Sequence, residues 1–136
     1  MIRRGDEGFV TPFAVCFTLA LIMVVGLVLD GGYILAARRR AMDEAEGAAR
    51  AGAQSVAASS RAGPIALDPQ RARASVEDYL RPTGHVAQVI VSGDLVSVTV
   101  SFTQRPLILG VAGLATVHVS GTARARAVPG IERAGG

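Results

Sequence analysis

The stretch GLVLDGGYILAARRRAMDEAEGAARAGA, Gly26 to Ala53, changes its preferred solvent along its length. It begins as apolar as a lipid tail, then meets Asp30, Gly31 and Gly32. Arg38, Arg39 and Arg40 follow in a row, and after them the stretch is alanine-rich with charges at helical spacing. One helix that leaves a bilayer and continues as a stalk accounts for all of these parts.

Upstream, Phe9 to Leu29 is a run of 21 residues without a formal charge. As a helix it reaches about 30 Å, the thickness of a hydrocarbon core. A cleaved secretory signal has a shorter apolar region ending in small residues. This run ends in LVLDGG, so an uncleaved anchor is the better reading. Thr11 followed by Pro12 predicts a helix start, with Thr11 as the cap and Pro12 at the first helical position. Cys16 lies inside the run, has no second cysteine to pair with, and reads as a small apolar side chain. The positive flanks are Arg3 and Arg4 on one side and Arg38 to Arg40 on the other, and a bare count of them places the C-terminus inside.

Asp30 marks the exit from lipid. Gly31 and Gly32 together cost about 2 kcal/mol of helix propensity, which predicts a gentle kink or local loosening rather than a stop. Tyr33 is the kind of ring that sits at headgroup level. Beyond it, Met42, Ala45, Ala49, Gly52 and Val56 follow alternating steps of three and four. They form a narrow seam of small residues for helix packing. The seam either packs on the protein's own sheet or joins other long helices in a bundle. Glu46 with Arg50, Arg39 with Asp43 and Arg40 with Glu44 stand at i,i+4, each exposed pair contributing a few tenths of a kcal/mol. The arginine run reads as a solvated face near phosphate headgroups, or as a docking surface for an acidic partner.

After a Gly- and Pro-containing loop, Asp68 caps a second helix that starts at Pro69 and ends before Pro82, with Ala72, Val76 and Leu80 on one face. The period then changes to two. Val86–Ser92 reads as a strand, Gly93-Asp94 as a tight turn, and LVSVTVSFT as a second strand. Val96, Val98, Val100 and Phe102 point one way on it. ATVHVSGTARARA supplies a third strand carrying His118 and Arg124. The connector QRPLILGVAGLA has no charge after Arg105. It either tucks under the sheet as core or rests on the membrane or on a neighbouring subunit.

The expected fold class is thus α+β: a transmembrane helix continuing into an Ala-rich helix, a short second helix, and an antiparallel sheet of about three strands. The expected segments are 1–8, before the span; 9–29, the anchor; 30–61, the stalk; 62–128, the short helix and sheet; and 129–136, a flexible tail. Composition excludes several functions. All fourteen basic residues are arginine, the net charge is +3, and aromatics are 4% without tryptophan, which gives no nucleic-acid footprint. Neither His85 nor His118 has partners at metal-ligand spacing, and no nucleophile elbow or phosphate loop is present. No catalytic or metal residue and no cofactor is expected.

The opening stretch resembles the TadE/TadG-like proteins of Flp (Tad) pilus machinery, especially the TadG-like branch. Gly26, Leu27, Asp30 and Gly32 match the family's Gly-Leu-x-x-Asp-x-Gly pattern. Arg38, Arg40, Ala45, Ala48, Ala49, Ala51, Gly52 and Ala53 match its Ala-rich helix, and GFVTPF from Gly8 looks like its start. The resemblance covers about the first 55 residues. It implies a non-enzymatic, single-pass component of the bacterial inner membrane, with the N-terminus inside and the sheet outside. Its partners would be the lipid bilayer, other pilus or pseudopilin subunits and membrane platform proteins, with homo- or hetero-oligomers formed through the long helix. Gly8 is the candidate processing glycine. Pilin-like substrates usually carry glutamate five residues further on, where this chain has Phe13. An anchored accessory subunit therefore fits better than a major pilin. The alternatives from other classes are a secreted binding module released from a cleaved signal, and a membrane-tethered regulator.

Overall fold

The computed structural model describes residues 7–57, 68–111, 113 and 116–128. The stalk's expected last residues, 58–61, and the tail, 129–136, lie outside the described residues, as does the side chain of Val56. The architecture is α+β. Helix α1 spans Glu7–Ala57 and α2 spans Pro69–Leu80, followed by strands β1 (Val86–Ser92), β2 (Leu95–Gln104) and β3 (Val117–Arg126). The strands form one antiparallel sheet in the order β1-β2-β3.

Helix α1 has 51 residues, about 77 Å at the usual rise. It runs unbroken through Asp30, Gly31 and Gly32. It also starts earlier than Thr11 and Pro12 suggest, at Glu7, with Pro12 inside it. Pro12 removes only one intrahelical bond, the one its N–H would have made to the carbonyl of Gly8. That loss falls just beyond the first turn, whose own N–H groups have no intrahelical partner, so few helical bonds lie on its N-terminal side. From Val10 to Val25 every residue is exposed. The Thr18 hydroxyl in this stretch donates to the carbonyl of Ala14 at 2.8 Å and so is satisfied without water.

The upper half of α1 is the floor on which the sheet rests. Its buried stripe is Ala37, Ala41, Ala45, Ala48, Ala49, Gly52 and Ala53. The seam facing the protein's own sheet therefore passes through Ala41, and Met42, about half exposed, turns outward. A methionine there would hold the sheet away, whereas alanine lets strand backbone approach the helix. Against this stripe β2 sets Val96, Val98 and Val100, all fully buried, and α2 sets Ala72, Val76 and Leu80. A smaller cluster nearer the apolar end joins Ala37 and Ala41 to Val119, with Phe102 packed against it.

Local rules place the remaining elements. Asp68 accepts the N–H of Gln70 at 3.0 Å, with Pro69 opening α2. The β1–β2 hairpin pairs Ser92 with Leu95 across the two-residue turn Gly93-Asp94. Gly93 takes φ +62°, as the first residue of a tight hairpin turn requires. The β2–β3 connector lies at the end of the sheet nearest the apolar half of α1, where residues 107–109 meet Asp30 and Ile108 meets Gly26.

Candidate functional site: the exit from the span

Asp30 is the one charged residue between Glu7 and Arg38, and it is completely buried. Its partners are backbone amides of the β2–β3 connector. Oδ1 accepts from Leu107 N–H at 2.9 Å, and Oδ2 accepts from Ile108 N–H at 3.1 Å and Leu109 N–H at 2.7 Å. Three consecutive donors thus converge on one carboxylate, whose two oxygens have acceptor capacity for all of them. One turn towards the span, Gly26 is buried beneath Ile108. A Cβ on Gly26 would lie 2.6 Å from Ile108 Cγ2, so the bare backbone at Gly26 makes the seat for this side chain. The connector turns on itself through bonds from Val111 N–H to the Ile108 carbonyl and from Gly113 N–H to the Gly110 carbonyl. Pro106 is buried, while Leu107 and Val111 are exposed.

The structure sorts the motif residues into two sets. Gly26 and Asp30, four apart on one face, meet the connector. Leu27, Gly32, Arg38 and Arg40 are exposed, and a Cβ at Gly32 would meet nothing within 4 Å. Gly8 lies in the first turn of α1. Ala45, Ala49 and Gly52 of the seam are buried under the sheet. The connector is therefore not sheet core: it straps the end of the sheet nearest the apolar run to the helix at Gly26 and Asp30.

A second polar cluster fixes the middle of the stalk. His85 Nδ1 donates to Glu44 Oε2 at 2.6 Å, and Arg40 Nε donates to Glu44 Oε1 at 2.9 Å. The His85 ring stacks on Phe102 with centroids 4.2 Å apart. Glu46 and Arg50 pair at 3.0 Å, whereas Arg39 and Asp43 form no ion pair among the described residues. Burial pushes the Glu44 carboxyl upward, but the hydrogen bonds and charges of His85 and Arg40 outweigh it and hold the group below its ordinary value of 4.5. A lowered folded value means this stabilisation is complete above the ordinary glutamate range and is lost as pH falls through the folded value. Glu44→Gln should therefore cost about 1–2 kcal/mol at neutral pH and should flatten the acid limb of stability. Thermal unfolding of both forms from pH 7 to pH 3 checks this; parallel acid limbs would contradict it.

Sequence reasoning found Gly26 and Asp30 but not their partners. Leu107 to Leu109 stand 77 to 79 residues away and contact Asp30 through backbone, which leaves no side-chain signature. The one available signal was the pairing of a lone acid inside an apolar helix with a charge-free connector elsewhere. Glu44 and His85 meet through their side chains, but 41 residues separate them and no local pattern pairs them.

Fold and site together define a protein with one long apolar helix among the described residues, its sheet strapped to that helix where the apolar run ends. Residues 8–55, about a third of the chain, match the Flp pilus-assembly TadE/G-like family. The match covers nearly all of α1 and does not distinguish a TadE from a TadG branch. No characterised protein and no solved structure matches the chain. The apolar helix and the family match fit a membrane-anchored pilus component that meets the bilayer and other pilus components.

Proposed function

We propose that this protein is a non-enzymatic, pilin-like accessory subunit of a Tad/Flp-type (type IVb) pilus or a related secretion apparatus. It is of the TadG-like kind, anchored in the inner membrane by one span, with its N-terminus in the cytoplasm and its sheet outside. One observation carries this reading. The family match at residues 8–55 falls on a continuous helix that is apolar and bare from Val10 to Val25 and packed under a sheet from Ala37 onward. A bare apolar rod of this length has no stable place in water.

On this reading, platform proteins and other pilus subunits engage the span and the outer stalk face, because the Ala and Gly stripe of the stalk is occupied by the protein's own sheet. That face carries Arg38, Arg39 and Met42, all exposed. The role is one of packing and presentation, without catalysis. Deleting the gene should reduce surface piliation, and restoring the full chain should recover it; normal pili in the deletion strain would refute the assignment. The orientation has its own test. Ser120 is exposed on β3. A Cys16→Ser, Ser120→Cys variant should react with a membrane-impermeant maleimide from the periplasmic side, and labelling only after lysis would reverse the topology.

A further inference from the structure

We infer that the β2–β3 connector is a second membrane contact, with Leu107, Ile108 and Val111 seated in the outer edge of the same leaflet from which α1 emerges. This rests on the reading of α1 as a membrane anchor and adds an interfacial wedge to it.

Four observations lead there. First, level: Ile108 packs on Gly26, which belongs to the charge-free run ending at Leu29. Gly26 lies about 6 Å along the helix axis inside Asp30. The connector therefore overlaps the apolar run in height and does not stand above it. Second, surface: Leu107 is 64% exposed and Val111 is 90% exposed, although the sequence from Pro106 to Ala115 contains no charge. On the turns of α1 that flank Gly26, Val25, Val28 and Leu29 are exposed as well. Third, polarity: a surface turn in water has no need of an internal acceptor for its amides. In lipid every N–H must find one within the protein. Asp30 supplies it to three successive amides, and the same donors let a carboxylate stay at the edge of the hydrocarbon. Fourth, flanks: Arg105, directly before the connector, and Tyr33, one turn beyond Asp30, are both exposed. An arginine and a tyrosine at this height suit the headgroup layer.

Two contacts hold the body of the protein where one would let it swing. A helix alone leaves the sheet free to rotate about the span axis. A wedge displaced to one side sets which face of the sheet looks along the membrane.

Collision-accessibility spectroscopy on the full chain in phosphatidylcholine vesicles tests this. Nitroxide labels are placed at Leu107→Cys and at Val111→Cys, each with Cys16→Ser. Native Cys16 serves as the lipid reference and Ser120→Cys, with Cys16→Ser, as the water reference. Both connector labels should resemble Cys16, with oxygen collisions several-fold above those of Ser120→Cys and little access for a water-soluble nickel chelate. Connector labels open to the chelate while Cys16 stays lipid-like would overturn the wedge and leave the anchor intact. Labels shielded from both reagents would overturn it in favour of a neighbouring protein. A Cys16 label open to the chelate would remove the anchor itself and the wedge with it.

Discussion

Gly121→Ala should undo the docking of the sheet on the stalk. A Cβ at this position in β3 would stand 2.5 Å from the carbonyl carbon of Ala41 and from the amide nitrogen of Met42, and 2.7 Å from the Ala41 oxygen. All three atoms are helix backbone. No rotamer change clears them, so the strand and the helix must separate, and separation strips contacts from Ala37, Ala41, Val119 and Phe102. Overpacking of this kind costs about 3 kcal/mol at the upper end of its range. For a body of this size that is a fall in Tm of at least roughly 10 °C. The control is Gly31→Ala, in the same long helix but with open space where its Cβ would go. It should be neutral or stabilising by up to about 1 kcal/mol, the helix propensity gained. Thermal unfolding in detergent micelles, followed by the sheet's circular dichroism, separates the two. A Gly121→Ala protein unfolding within a few degrees of wild type would show that sheet and helix are not in backbone contact. Gly47→Ala makes a useful intermediate, since its Cβ would meet the Tyr79 side chain, which is about half exposed and can move.

The severity at Gly121 follows from how little else holds the core. Its largest fully buried apolar side chains are valines: Val76, Val96, Val98, Val100 and Val119. Leu80 is the one larger aliphatic side chain in the buried clusters of the described residues, so contact must come from proximity more than from bulk. Small residues on α1 and a glycine on β3 bring main chains together, so that many short-range contacts replace a few large side chains. The same logic explains why the stripe is alanine and why Met42 lies outside it.

Elements set by local chemistry were readable in the sequence. Alternation from Val96 to Phe102, the turn glycine Gly93, and Asp68 before Pro69 each act within a few residues, and each placed its element. The start of α1 was misjudged at Pro12, because a favourable first-turn position is not the only place a helix near its end tolerates proline. Within the stalk, Ala45, Ala49 and Gly52 lie on the buried stripe, but the alternating three- and four-residue steps also run through Met42, where the buried residue is Ala41. Strand backbone packing on a helix selects for smallness at each position, and spacing alone does not see that. What stayed hidden were the long-range partners of single polar atoms: the amides of residues 107–109 for Asp30 and His85 for Glu44. No local pattern encodes a carboxylate's choice of donor across 40 to 80 residues of chain.

Asp30→Asn should release the strap while leaving the helix and the hairpin in place. The amide keeps one acceptor oxygen and puts an NH2 group where the other stood. That group is a donor facing donors. If the amide nitrogen replaces Oδ2, the N–H groups of Ile108 and Leu109 lose their shortest bonds; if it replaces Oδ1, Leu107 loses its bond. Asp30→Ala removes every acceptor at once. Hydrogen exchange of the full chain in lipid nanodiscs reads this directly. Amides 107–109 should be protected in the wild type, partly exposed in Asp30→Asn, and as fast as an unstructured segment in Asp30→Ala. Val89 and Val98, paired across the β1–β2 hairpin, should keep their protection in all three, because that ladder does not pass through the strap. Leu27→Ala, at an exposed position between Gly26 and Asp30, should leave the connector's exchange unchanged. Wild-type exchange at 107–109 in Asp30→Ala would mean that the connector is held by its apolar side chains alone. Loss of protection in the hairpin as well would mean that Asp30 supports the whole sheet, because a sheet docked through valine and alanine alone lacks the contacts to survive detachment at its membrane end.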